Sequence, residues 1–99
     1  MKVLKFGGTS VGTPESLRSV KNIVESCDER VIVVVSALGG ITDRLIATAR
    51  EAEKGSPGYQ DMFREIIDRH HAMTEEMVPA DERAQVILAI DALFKELSD

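Results

Sequence analysis

The chain is short of cysteine, of long apolar runs and of clustered positive charge, and each shortage excludes something. Cys27 is the only cysteine in 99 residues. No internal disulfide can form, and a reducing compartment is expected. No apolar run approaches the ~20 residues that span a bilayer, and residues 1–8 lack the apolar core of a signal peptide. The cytoplasm is the expected location, without membrane contact. The net charge is −5, and the 12 basic residues are scattered along the chain. That argues against nucleic acid as a partner. There is no His-Glu-x-x-His and no paired-cysteine pattern, so no metal site is expected. His70 and His71 are adjacent, about 100° apart on a helix, and cannot jointly face one metal. They read as structural or surface residues. Repeats and low-complexity tracts are absent too. What remains is a composition of 43% hydrophobic and 29% charged residues, which suits a soluble globular chain.

The pattern along the chain predicts the order β-α-β-α-α-α. Residues 3–6 read as a short strand. Thr13-Pro14-Glu15 is a helix start, with Thr13 as cap, proline at the first helical position and an acid facing the dipole. Leu17, Val20, Val24 and Cys27 follow at helical spacing. Val31-Ile32-Val33-Val34-Val35 is five β-branched residues in a row, the mark of a strand buried on both faces of a parallel sheet. A second helix is expected over residues 41–54, then a loop at Gly55-Ser56-Pro57-Gly58. Met62, Phe63, Ile66, Ile67, His70, Met73 and Met77 predict a third helix, with its methionines as core filler. Val86, Ile87, Ile90, Leu93, Phe94 and Leu97 predict a fourth, which Asp81 is placed to cap. Glu75-Glu76 and Asp81-Glu82 read as solvated charge.

Two glycine loops carry the chemistry. Lys5-Phe6-Gly7-Gly8-Thr9-Ser10 closes the first strand. A lysine beside two glycines offers a point charge and backbone N–H groups to a phosphate, with φ angles that a Cβ would forbid. The same residues also suit a plain strand-to-helix turn. Ser36-Ala37-Leu38-Gly39-Gly40-Ile41-Thr42-Asp43 closes the second strand in the same manner. Parallel strands end at one sheet edge, where open α/β folds bind ligands. Thr42 then either meets a ligand carboxylate at a helix start or merely caps that helix. Ser36 either faces the crevice or bonds its own loop backbone. The Gly-x-x-x-x-Gly-Lys-Ser/Thr arrangement is absent, because the lysine precedes the glycines.

The run Lys5-Phe6-Gly7-Gly8-Thr9-Ser10-Val11 resembles the N-terminal signature of aspartokinases, in the amino-acid kinase superfamily. Val34-Val35-Ser36-Ala37 through Gly40-Ile41-Thr42 to Leu45 resembles the second motif of that family, in order and at the expected distance. Related kinases for acetylglutamate, glutamate or uridylate share a lysine and glycines but not the Phe-Gly-Gly-Thr-Ser-Val run. The resemblance spans residues 2–46, and residues 58–98 fit the variable helical region that follows. It implies phosphoryl transfer from ATP, with Mg²⁺, to L-aspartate, giving 4-phospho-L-aspartate on the way to lysine, threonine and methionine. It assigns Lys5, Phe6, Gly7 and Gly8 to the ATP phosphates, with Lys5 catalytic. Ser36 and Thr42 go to the aspartate site, with Thr9 and Ser10 close by. It also implies a homo-oligomeric parent.

The family's later Gly-Glu motif, substrate arginine and catalytic aspartate have no counterpart in the sequence. The expectation is therefore an incomplete α/β domain, the N-terminal βαβ part of an open parallel-sheet amino-acid kinase fold followed by helices. Residues 1–54 would hold βαβα with both glycine loops and residues 59–98 the helical region. The remainder of the kinase domain and any regulatory domain would lie elsewhere, and residues 1–99 alone would be inactive. Another amino-acid kinase with a different acceptor, or a non-catalytic helical interaction module, are the competing readings.

Overall fold

The computed structural model describes residues 1–98. The elements are β1 (Lys2–Phe6), α1 (Pro14–Glu25), β2 (Val31–Val35), α2 (Ile41–Glu53), α3 (Tyr59–Met77) and α4 (Ala80–Ser98). The predicted order is the observed one. The chain divides into two compact units, residues 1–43 and residues from 44 on.

In the first unit β1 and β2 pair in parallel, in register from Lys2 opposite Val31 to Phe6 opposite Val35. The α1 start follows from its sequence. Thr13 stays extended at φ −136° and ψ 161°, and its side chain accepts the Ser16 N–H at 3.1 Å. Pro14 fills the first turn, where its missing N–H costs nothing. The helix ends at Glu25, so Cys27 lies beyond it and not on its apolar stripe. Val11 and Ile41 are the buried apolar residues of this unit.

β2 departs from expectation. It was expected to be buried on both faces, yet Val35 is 55% exposed and Ile32 47%. The sheet has two strands, and the unit has one complete helix to cover them. Five β-branched residues record the cover a wider sheet would need, not the cover present.

The second unit is helical. Gly55, at φ 76°, ends α2 in the left-handed conformation that glycine adopts without strain. Helices α3 and α4 form an antiparallel hairpin. The Val78 N–H donates to Thr74 O at 2.8 Å, and Arg83 donates twice to Val78 O at 3.3 and 3.1 Å. Ile66 is 1% exposed. Phe94 meets Phe63 edge-on at 5.8 Å and His70 at 5.1 Å between ring centroids. Buried Thr48 and Thr74 satisfy their hydroxyls on carbonyls four residues back. Asp81 does not cap α4. The helix already begins at Ala80, because the Pro79 carbonyl accepts the Glu82 N–H at 3.0 Å.

Candidate phosphate and acceptor site

The register of the sheet sets the site. The Ser36 N–H donates to Phe6 O at 3.1 Å, so pairing runs to the last residue of β1 and both loops leave from one edge. There they touch backbone to backbone. A Cβ on Gly39 would stand 2.8 Å from Gly8 O and 3.3 Å from the Gly12 Cα. A Cβ on Gly12 would stand 3.2 Å from Gly8 O. A side chain at Gly39 would force the loops apart, and one at Gly12 would crowd its own loop at Gly8 O.

The glycines thus serve a different purpose from the expected one. Neither Gly7 nor Gly8 has a positive φ; Gly40 does, at 82°, one residue before α2. An added Cβ at Gly8 would meet the Gly39 Cα at 3.6 Å, an ordinary contact, so the close approach depends on Gly39. Around Gly7 an added Cβ would meet nothing within 4 Å. The Ser10 N–H donates to Gly7 O at 3.0 Å, which closes a turn and leaves that one N–H engaged. Gly12 is the contributor that sequence reasoning passed over; Gly39 was read in the second glycine loop, but not as a contact to the first. The signal for Gly12 was a glycine four residues after Gly8 in the same loop.

The remaining residues fall around this junction. Lys5 lies in β1 opposite Val34, exposed, while its neighbours Leu4 and Phe6 are half-buried. Strand alternation therefore puts Lys5 on the opposite face from those two. Ser36 follows β2 directly, and its hydroxyl donates to Ala37 O at 2.8 Å, which is the bond to its own loop backbone. Thr42 is the second residue of α2 and exposed, not its cap. Thr9 is exposed and Ser10 half-buried in the first loop. Among the described residues, no group of three or more His, Cys, Asp or Glu is placed to hold a metal ion. No helix among them is long and apolar enough to cross a membrane.

Residues 1–95 match the family model described as amino acid kinase family. The chain belongs to that family. Within it, the chain is 38% identical over 96 residues to an aspartokinase of Pseudomonas aeruginosa, covering 94% of this chain and 20% of that protein. It is 39% identical over 75 residues to an aspartokinase of Chlamydia trachomatis, covering 76% and 16%. It is 31% identical over 96 residues to the chloroplastic bifunctional aspartokinase/homoserine dehydrogenase 1 of Zea mays, covering 96% and 10%. The chain thus spans about a tenth to a fifth of the length of these relatives. As a member of the amino acid kinase family it places Lys5 and both glycine loops at one end of its parallel strand pair.

The histidines lie outside this site. His70 Nδ1 is 2.8 Å from Ile66 O, and His71 Nε2 is 2.6 Å from Asp91 Oδ1. Both serve the α3–α4 hairpin, as structural residues.

Proposed function

We propose that this sequence is the N-terminal part of an aspartate kinase. In that reading a side-chain carboxylate oxygen of L-aspartate attacks the γ-phosphorus of ATP. The bond from that phosphorus to the β,γ-bridging oxygen breaks, and 4-phospho-L-aspartate and ADP result. ATP enters as its Mg²⁺ complex. The described residues supply no ligand set for a resident metal, so the roles below concern this chain's own groups.

The observation that carries the reading is the backbone contact of Gly8 with Gly39 at the shared strand end, one turn of chain from Lys5. It brings the loop that follows Lys5 and the hydroxyl-bearing second loop to one edge, which supports a site where phosphoryl donor and acceptor meet. Lys5 offsets charge on the transferring group, and Phe6, Gly7 and Gly8 line the phosphates. Such transfer rests on positioning and charge neutralisation. The open space at Gly7 leaves backbone accessible to a phosphate. Ser36 and Thr42 take the acceptor, and Thr9 and Ser10 support it. Ser36 can do so by turning its hydroxyl from Ala37 O. Residues 1–54 form the site-bearing part and residues 59–98 a helical region. The parent works in the cytoplasm as a homo-oligomer.

The test is ADP release by the longer polypeptide that carries this sequence, with aspartate, glutamate, acetylglutamate and uridylate offered in turn. Turnover should require aspartate. Turnover with another acceptor instead would overturn the assignment. The 99 residues alone should show none, since Lys5 and two loops are a partial constellation.

One observation favours a second reading, a helical interaction module. On α4, Leu93 is 66% and Leu97 58% exposed, four residues apart on one helix face, an apolar patch such a module would present. Absence of any nucleotide binding by the chain would favour it over the kinase reading.

A further inference from the structure

The proposed chemistry uses nothing from the α3–α4 hairpin, yet the hairpin has a cleft of its own. It measures about 480 Å³ and lies between residues 59–71 of α3 and residues 91–98 of α4. That volume lies within the range of small-molecule pockets. Phe63 and Phe94 line it, in edge-to-face contact. Asp91 and His71 also line it, their side chains joined at 2.6 Å. Arg64 contributes from α3 and Lys95 from α4.

The charge of this lining runs against that of the chain. The whole chain carries −5. The cleft gathers two basic side chains against one carboxylate, and that carboxylate is engaged by His71. Arg64 has an ion pair with Asp68, but at 4.0 Å and well exposed. Such a pair holds a guanidinium weakly, so Arg64 can exchange partners at little cost. Aromatic walls with a cation from each helix define a ligand with two ends.

We propose that this cleft binds a small organic carboxylate with a flat apolar body. The carboxylate sits between Arg64 and Lys95, and the body lies on Phe63 and Phe94. A planar guanidinium suits a carboxylate, and aromatic rings receive a flat body by stacking or edge contact. His71, hydrogen-bonded to Asp91, lines the cleft beside the ligand.

The experiment is a titration of the 99-residue chain, followed by amide chemical shifts, with phenylacetate as probe. Benzyl alcohol and phenylethylamine carry a similar ring with neutral and positive ends. Phenylacetate should give saturable shifts around residues 63–67 and 91–95, with a Kd of about 1–10 mM. Benzyl alcohol should bind more weakly and phenylethylamine not measurably. Lys95→Gln and Arg64→Gln should each weaken phenylacetate about two- to fivefold, as expected for exposed charges. Lys54→Gln, outside the cleft, should leave it unchanged. Three results would overturn the proposal: no saturable shift at these residues, equal binding of the neutral analogue, or full affinity in both variants. No nucleotide is present in this titration, so its outcome is independent of the glycine-loop reading.

Discussion

The two units of this chain are held together by different means. In residues 1–43 the decisive contacts are backbone on backbone. Gly8, Gly12 and Gly39 bring two loops together with no side chain between them, and Val11 and Ile41 are the buried apolar residues beside them. In the helical unit the decisive contacts are side chains: Ile66 in the interior, Phe94 against Phe63 and His70, His71 on Asp91. The first arrangement fixes backbone at one edge. The second joins helices through side-chain packing. A phosphate site needs the first kind, since its donors must be fixed before charge develops.

The comparison can be broken from either side. Ile66→Ala removes the most buried apolar side chain of the helical unit, and should cost about 2–5 kcal/mol. Urea unfolding followed by helical circular dichroism measures it. A loss under 1 kcal/mol would mean that the hairpin is not packed as described. Lys5→Ala in the longer polypeptide removes the charge beside the first loop. Turnover should fall about 10²–10³-fold, as when one transition-state donor is removed, with a smaller change in KM for aspartate. Near-normal turnover would take Lys5 out of the mechanism. Thr42→Val keeps shape and removes one hydroxyl. It should raise KM for aspartate by a factor worth about 1.5–3 kcal/mol, the value of a hydrogen bond to a charged group, and leave KM for ATP nearly unchanged. An effect confined to ATP would reassign the residue.

What could be read in the sequence follows the same division. Local features were legible. Thr13 and Pro14 start α1 because a cap depends on neighbours three residues away. Gly55 ends α2 because a left-handed residue needs glycine wherever it occurs. The two glycine loops were legible as motifs, but the use of their glycines was not. Contact of Gly39 with Gly8 O depends on the register of strands 29 residues apart, which no local pattern records. The β2 misreading has the same origin, since burial belongs to the sheet as a whole and not to five β-branched residues. Asp81 failed as a cap because the helix begins at Ala80, two residues before the start that an Asp81 cap implies, with the Pro79 carbonyl accepting the Glu82 N–H.

The central claim is that the glycine-loop edge receives the nucleotide phosphates. Its most direct test is a titration of the 99-residue chain with Mg-ATP, read amide by amide, beside the same titration of Gly7→Ala. Gly7 has open space around it and no left-handed φ, so the substitution should change stability by no more than about 0.5 kcal/mol. The account predicts shifts at residues 6–10, 36 and 39–42 in the native chain, and loss of those shifts in Gly7→Ala with its fold intact. Shifts confined to α3 and α4, or undiminished binding by a folded Gly7→Ala, would contradict it.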